Sequence, residues 1–396
     1  MVTLLLVIIY LAFISLGLPD AILGSSWAVI HQDLGVGIDW QGLVSMTISG
    51  GTIISSFLSG YLIKKFKTGP LTFISTLLTA VAIIGMAFTR SFFWFWLFAI
   101  PLGLGAGAVD TALNNYVALN YKSRHMNWLH SFWGIGALTG PFIMSFFLNG
   151  SSSWRKGYLT IFFSQLVLTV ILLISLPLWN EVEKMTPKTE NENHGNKSRS
   201  IRLTIDFKVI SVLVIFMFYS AAELAMNAWG SVYLINTHNF SGRYAARTVS
   251  IFFIGITIGR FLVGFISNKL GNIRLIRFGQ IVALIGSLLM ISSLSNLVVI
   301  TGFLLVGLGC APIYPAMIHE TPRRFGKDLS QRLIGFQMGF AYIGGTFIPP
   351  LLGVIAKRTS FKWIPYYVLG FVVIMLVFSE LLNLKIKREK KYDGGN

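Results

Sequence analysis

The sequence predicts an all-α membrane protein in which twelve transmembrane helices form two pseudo-symmetric bundles of six. Three observations predict this fold class: an apolar composition, twelve long apolar runs, and a repeat that relates the two halves of the chain. Of the 396 residues, 54% are hydrophobic and only 12% are charged, whereas soluble domains usually carry about 25% charged residues. The charges also cluster between the apolar runs, which indicates many membrane crossings.

Twelve apolar runs reach the length of about 18 residues that a membrane span requires. Runs this long and continuous favour helices over barrel strands. The predicted spans are 2–30, 41–63, 70–88, 92–120, 126–149, 158–180, 206–235, 244–267, 273–294, 298–319, 329–356 and 362–385. The first run begins at Met1 without a basic region or a cleavage site, so we interpret it as a span and not as a signal peptide.

A polar segment divides these spans into two groups of six. It contains few large apolar residues, and we therefore expect a solvated linker. The predicted domains are an N-terminal bundle at 1–180, the linker at 181–205, a C-terminal bundle at 206–385 and a basic cytoplasmic tail at 386–396.

The two halves repeat at a nearly constant spacing. The matches are Gly103-Leu-Gly105 with Gly307-Leu-Gly309, Gly60 and Lys65 with Gly264 and Lys269, Asp20 with Glu223, and Gly136 with Gly344, at spacings of 204, 204, 203 and 208 residues. Agreement among four matches indicates a duplicated six-helix unit. Transporters built from two such units hold their substrate near the bilayer midplane.

The basic residues predict the orientation in the membrane. The segments on the side of both termini hold 23 Lys and Arg residues, and the opposite segments hold 8. Since cytoplasmic loops are enriched in Lys and Arg, both termini are expected in the cytoplasm. The expected location is the plasma membrane, and the net charge of +17 is explained without a nucleic-acid partner.

Three motifs in the first half resemble a known family. They are Gly17-Leu-Pro-Asp20, Gly103-Leu-Gly-Ala-Gly-Ala-Val-Asp110-Thr-Ala-Leu-Asn114, and Asn127-Trp-Leu-His130-Ser-Phe-Trp-Gly-Ile-Gly-Ala-Leu-Thr-Gly140-Pro141. The whole chain resembles the major facilitator superfamily, and these motifs resemble its fucose–galactose–glucose:proton symporter branch. The resemblance implies the major facilitator fold, alternating access between the two halves, and proton coupling through the acids of helices one and four. By position these acids are Asp20 and Asp110.

Both acids lie inside predicted spans, and Asp20 follows Pro19, which favours a kink. An Asp at a helix centre costs at least about 2.5–3.5 kcal/mol, so such residues usually face a cavity and have a function. At 1.5 Å per residue the two acids differ in depth by about 12 Å, which predicts two separate sites. The alternative for Asp20 is a solvated position near the outer membrane surface.

Ten further residues are candidates for binding a solute. Carboxamides donate and accept hydrogen bonds, as sugar hydroxyls require. Asn114 lies about 40° from Asp110 around the helix and Asn115 about 140° away, which favours Asn114. The candidates are Asn114, Asn115, His130, Trp27, Trp133, Glu223, Asn227, Trp229, Tyr314 and Gln337.

Some of these candidates have simpler interpretations. Glu223 and Asn227 stand one turn apart on one helix face, where an interhelical hydrogen bond is an alternative. Trp27 lies within about 20° of the face of Asp20, two turns outward, and Trp133 could stack on a sugar ring. Interface anchoring is the alternative for most tryptophans.

The sequence contains no catalytic constellation. No phosphate-binding Gly-Lys-Ser/Thr loop is present, and His31 and Asp33 have no partner at metal-ligand spacing. Cys310 is the only cysteine, which excludes a disulfide within the chain. We expect no enzymatic activity, no cofactor and no metal. The expected partners are a small-molecule substrate, a proton and the lipid bilayer, and a sugar is the favoured substrate. The expected oligomeric state is a monomer.

The favoured hypothesis is a proton-coupled symporter of a monosaccharide or a similar small hydroxylated solute. One rival is a drug/proton antiporter of the same superfamily, because Gly136…Gly140-Pro141 is compatible with exporters. A second rival is a membrane receptor or scaffold that transports nothing.

Overall fold

The computed structural model describes residues 2–20, 22–37, 40–148, 153–185, 206–292 and 294–393. Regular structure in these ranges is helical throughout, without a strand, which confirms the all-α fold class. The helices are α1 (Val2–Asp20), α2 (Ile22–Asp33), α3 (Trp40–Phe66), α4 (Thr68–Phe88), α5 (Phe92–Asn120), α6 (Ser123–Leu148), α7 (Trp154–Met185), α8 (Phe207–His238), α9 (Gly242–Leu270), α10 (Asn272–Ser292), α11 (Asn296–Phe325), α12 (Lys327–Arg358) and α13 (Ile364–Asp393), with a 3₁₀ helix at Phe361–Trp363.

Twelve helical segments within the described ranges are long and apolar enough to cross a membrane, which confirms the predicted number of spans. The first segment runs from Val2 to Trp27, so it includes α1 with Pro19 and part of α2. Many large apolar side chains on these helices are exposed. Such surfaces are expected where helices face lipid.

The first of two compact units consists of Met1–Asn120 and Phe132–Leu203. A cluster of fully buried aromatic side chains from α2, α5 and α7 forms part of its core, with the Phe95 ring 6.3 Å from Trp27 and 5.8 Å from Trp154. A polar contact joins α1 to α7, because Ser15 Oγ donates to Gln165 Oε1 at 2.6 Å and Gln165 Nε2 donates to the Ser15 carbonyl at 2.7 Å.

The second compact unit consists of Tyr121–Ser131 and Thr204–Asn396. The start of α6 therefore groups with α8 to α13, although the sequence-based boundary assigned all of α6 to the N-terminal bundle. The predicted linker lies mostly outside the described residues, which end at 185 and resume at 206. The predicted domain boundaries stay a prediction.

Buried polar side chains hold the segment 121–131 within the second unit. Ser123 Oγ donates to Asn272 Oδ1, and Asn272 Nδ2 donates to Glu320 Oε2 at 2.9 Å. His319 Nε2 bonds the carbonyl oxygen of Tyr121 at 2.8 Å. Asn272, at the start of α10, therefore links the segment to α11.

The repeated glycines have equivalent packing roles in the two units. In the first unit, a Cβ on Gly103 of α5 would collide with the carbonyl oxygen of Ile48 on α3. In the second unit, a Cβ on Gly307 of α11 would collide with the carbonyl oxygen of Phe252 on α9. Ile48 and Phe252 are 204 residues apart, which is also the spacing between Gly103 and Gly307. The duplication therefore extends to the backbone contacts between helices.

Candidate functional site

A buried carboxylate and carboxamide lie together on α5, in the first unit. Asp110 is 6% exposed and Asn114 is fully buried. The Asn114 Nδ2 donates to Asp110 Oδ1 at 2.8 Å and to the Asp110 backbone carbonyl at 3.0 Å. Both residues lie on nearly the same face of α5, as their spacing around the helix predicts. An amide donor next to the carboxylate stabilises its charge without neutralising it.

The neighbouring carboxamide has an unused acceptor. Asn115 is 3% exposed, and its Oδ1 is buried without a hydrogen-bond partner among the described residues. A buried acceptor left without a partner costs about 1–3 kcal/mol. A ligand hydroxyl would satisfy this acceptor, but Asn115 lies on a different face of α5 from Asp110.

Close packing brings α3 against α5 beside the buried pair. A Cβ on Gly107 would collide with the carbonyl oxygen of Thr52, so only glycine allows this approach. One turn later, Thr111 Oγ1 donates to Ser56 Oγ at 3.3 Å. The small and hydroxylated residues at this contact fix the rotation of α5 and hence the position of Asp110.

Asp20 stands in a separate environment, on α1 of the first unit. Its side chain is exposed, and Oδ2 accepts a hydrogen bond from Trp133 Nε1 of α6 at 2.9 Å. The approach of the two helices depends on glycine: a Cβ on Gly17 would collide with the Trp133 carbonyl oxygen, and one on Gly136 with the Ile14 carbonyl oxygen. Trp133 thus has a polar contact with a predicted proton-coupling acid.

The second unit brings together Glu223 of α8, Arg260 of α9 and Tyr314 of α11. Arg260 is 4% exposed, and its Nη2 lies 3.7 Å from Glu223 Oε1. The same nitrogen donates to the Tyr219 hydroxyl at 3.1 Å. The Tyr314 ring lies 5.4 Å from Tyr219 and 5.1 Å from His130, edge to face with the imidazole. We call Glu223, Arg260, Tyr219 and Tyr314 the α8–α9–α11 cluster.

Arg260 is absent from the candidate residues that the sequence motifs predict. A signal was present, because Arg260 lies deep inside a span, far from the loops in which the other basic residues gather. The count of Lys and Arg residues that predicted the orientation did not assign Arg260 to either side of the membrane. Since a charged residue inside a span is a functional candidate by default, Arg260 belongs with the two aspartates.

The remaining candidates differ in their surroundings. Gln337 is fully buried; its Oε1 accepts from Thr321 at 3.0 Å, and its Nε2 has no hydrogen-bond partner within the described part of the chain. Trp229 donates to the Pro349 carbonyl at 2.7 Å and packs against α12. Asn227 is exposed.

Trp27 is 1% exposed and packs in the aromatic core of the first unit. Its surroundings are those of a core residue. The solute-binding roles of these four residues stay predictions and are not used below.

Comparison with known proteins identifies the family. A family model described as the Major Facilitator Superfamily matches residues 9–293 and 212–395. The chain is similar to the glucose/mannose transporter GlcP of Bacillus subtilis, with 27% identity over 86% of this chain and 85% of that protein.

Two solved structures share the fold. One is the fucose:proton symporter FucP of E. coli, with a TM-score of 0.72 and 17% identity over 96% of this chain and 98% of that chain. The other is the proton:xylose symporter XylE, with a TM-score of 0.77 and 14% identity over 94% of each chain. With twelve candidate spans, the repeated packing and the matching family model, the chain belongs to the Major Facilitator Superfamily of membrane transporters, as its motifs predicted.

Proposed function

We propose that this transporter is a proton-coupled symporter of a monosaccharide or a similar small hydroxylated solute, working by alternating access. The observation that carries the proposal is the hydrogen-bonded pair of Asp110 and Asn114 inside a membrane span. A buried ionisable group beside a group that both donates and accepts suits the joint handling of a proton and a hydroxyl. The similarity to a glucose/mannose transporter supports the sugar.

The pair offers a simple coupling step. With Asp110 ionised, the Asn114 amide is engaged by the carboxylate, as observed. A proton on Asp110 removes the charge that strengthens this hydrogen bond, and the Asn114 amide is released to bind a solute hydroxyl. Proton binding thereby favours solute binding and, by linkage, solute binding favours proton binding.

Asp20 is proposed as the second proton-coupling acid. Its carboxylate accepts a hydrogen bond from Trp133, whereas that of Asp110 accepts one from Asn114. The different partners support two separate protonation sites. We also propose a monomer in the plasma membrane with both termini in the cytoplasm, on the basis of the 23 to 8 distribution of Lys and Arg.

The test is transport by the purified protein in proteoliposomes with a panel of neutral sugars. Wild type is expected to catalyse sugar counterflow without a gradient and to accumulate the same sugar when the outside is acidified. Asp110→Asn should keep counterflow and lose accumulation, because it retains hydrogen bonding but cannot release a proton. Asp328→Asn, which alters an exposed acid at the start of α12, is the matched control and should accumulate like wild type.

Three results contradict the proposal in different ways. Accumulation by Asp110→Asn at the wild-type level removes the coupling role of this acid. Drug efflux without sugar counterflow favours the antiporter. No flux of any solute favours a receptor or scaffold.

A further inference from the structure

We propose that Glu223 and Arg260 form a donor–acceptor subsite in the second unit that binds adjacent hydroxyls of a neutral sugar and discriminates against sugar acids. This inference rests on the proposed sugar transport and names the class of sugar. It concerns a residue, Arg260, that the sequence motifs did not identify.

The geometry of the ion pair is unlike that of a structural pair in the same unit. Arg277 Nε and Nη2 donate to the two oxygens of Glu380 at 2.7 and 2.6 Å, which is the bidentate arrangement expected of a strong Arg–carboxylate contact. Arg260 Nη2 lies 3.7 Å from Glu223 Oε1, beyond hydrogen-bonding distance, and the Tyr219 hydroxyl joins the two residues by accepting from Nη2 and hydrogen-bonding to Glu223. The pair balances charge, but its hydrogen-bonding capacity is not used up.

The unused capacity is buried. Arg260 is 4% exposed, and its Nε has no hydrogen-bond partner in the described ranges. Leaving a charged donor in this condition is costly, because the buried group has lost its hydration without gaining a hydrogen bond. A ligand oxygen that accepts from Nε removes this penalty. Because this hydrogen bond from Arg260 Nε forms only when the ligand is present, it favours the bound state.

The neighbouring groups specify the ligand. Glu223 supplies carboxylate oxygens that accept hydrogen bonds, Arg260 supplies donors, and the half-buried Tyr314 ring, which packs against Phe216 and Tyr219, supplies aromatic surface. Adjacent hydroxyls of a sugar match this set, because one donates to the carboxylate while the other accepts from the guanidinium. Carbon-bound hydrogens of the sugar ring match the aromatic surface.

The charge balance specifies that the sugar is neutral. Arg260 and Glu223 together carry no net charge, so the repulsion of a sugar carboxylate by Glu223 offsets its attraction to Arg260, and the cost of desolvating the carboxylate is not repaid. A sugar acid is therefore disfavoured relative to the neutral sugar of the same size. Removing the charge of Glu223 leaves Arg260 as an unpaired cation, which favours the acid.

The experiment measures counterflow and its inhibition by glucose and by glucuronate in wild type, Glu223→Gln and Arg260→Gln. We expect each variant to raise the half-saturating concentration of the transported neutral sugar about ten-fold or more, equivalent to about 1.4 kcal/mol of binding free energy. Only Glu223→Gln should also shift the glucuronate-to-glucose inhibition ratio, about ten-fold towards glucuronate. Arg277→Gln removes an ion pair outside the cluster and should change neither quantity.

The double variant Glu223→Gln/Arg260→Gln separates binding from stability. If the pair only balances charge, the double variant recovers both the melting temperature and the wild-type half-saturating concentration. If the subsite binds sugar, the double variant recovers the melting temperature but keeps the raised half-saturating concentration. The first outcome overturns the inference and the second supports it.

Failure of the inference is distinguishable from failure of the proposed coupling. Proton-driven sugar accumulation with unchanged half-saturating concentrations in Glu223→Gln and Arg260→Gln overturns the subsite alone. Counterflow that depends on both residues, without any response to a pH gradient, supports the subsite and contradicts the coupling. An unchanged inhibition ratio in Glu223→Gln overturns the discrimination against sugar acids.

Discussion

Alanine at Gly103 and alanine at its repeat partner Gly307 are expected to destabilise the protein by similar amounts. The added Cβ collides with the Ile48 carbonyl oxygen in one unit and with the Phe252 carbonyl oxygen in the other. Both obstacles are backbone atoms, so no side chain can turn aside and the helices must separate. Overpacking usually costs about 1–3 kcal/mol, which exceeds the gain of up to about 1 kcal/mol from replacing Gly by Ala in a helix.

The chain offers matched controls for this prediction. A Cβ on Gly50 of α3 or on Gly370 of α13 meets nothing within 4 Å. Gly50→Ala and Gly370→Ala should therefore leave the melting temperature unchanged or slightly raised. For units of about this size, 1–3 kcal/mol corresponds to a fall of roughly 2–12 °C.

The assay is the thermal unfolding of the four purified variants in one detergent, each compared with wild type. A melting temperature of Gly103→Ala equal to that of Gly50→Ala would refute the close-packing explanation of the glycine motif. A fall in Gly103→Ala without one in Gly307→Ala would refute the equivalence of the two repeats.

Three further predictions concern residues around the sites. Trp133→Phe removes the hydrogen bond to Asp20 and should lower proton-driven uptake while sparing counterflow; equal losses of both activities would contradict a role in coupling. Asn272→Ala removes the hydrogen bonds that Asn272 makes with Ser123 and with Glu320 and should lower the melting temperature, because it leaves buried partners unsatisfied at about 1–3 kcal/mol; an unchanged melting temperature would contradict this structural role. Trp27→Ala should destabilise by about 3–5 kcal/mol, whereas Trp27→Phe should keep the wild-type half-saturating sugar concentration unless Trp27 binds sugar.

The parts of this fold that depend on local pattern were predictable from the sequence. Span number follows from the length of apolar runs, and the structure retains all twelve. The contact between Asp110 and Asn114 follows from helical geometry within one element. The packing role of Gly103 and Gly307 was accessible because the repeat places the same motif in both halves.

The parts that depend on helix packing were not predictable. Trp133 contacts Asp20 across 113 positions of the chain, which no spacing rule foresees. The position of Trp27 in the aromatic core of the first unit also depends on packing, and its angular spacing from Asp20 did not indicate it. The grouping of 121–131 with the second unit depends on buried polar contacts distant in sequence.

Arg260 illustrates a different limit. Its position inside a span was visible, but its partner Glu223 was assigned to solute binding by the repeat with Asp20, without a counter-charge. Only the structure places the guanidinium 3.7 Å from that carboxylate and shows the Tyr219 hydroxyl as its hydrogen-bond acceptor. Charge balance in a span therefore has to be searched between helices as well as along them.

The most direct test of proton-coupled sugar transport is the movement of protons that sugar itself causes. A neutral sugar is added to lightly buffered proteoliposomes containing the transporter, without an imposed pH gradient, and the external pH is recorded. Wild type is predicted to make the external medium more alkaline with each added transported sugar, and Asp110→Asn is predicted to give no pH change while still catalysing counterflow. Sugar entry by wild type without any alkalinisation would contradict proton coupling.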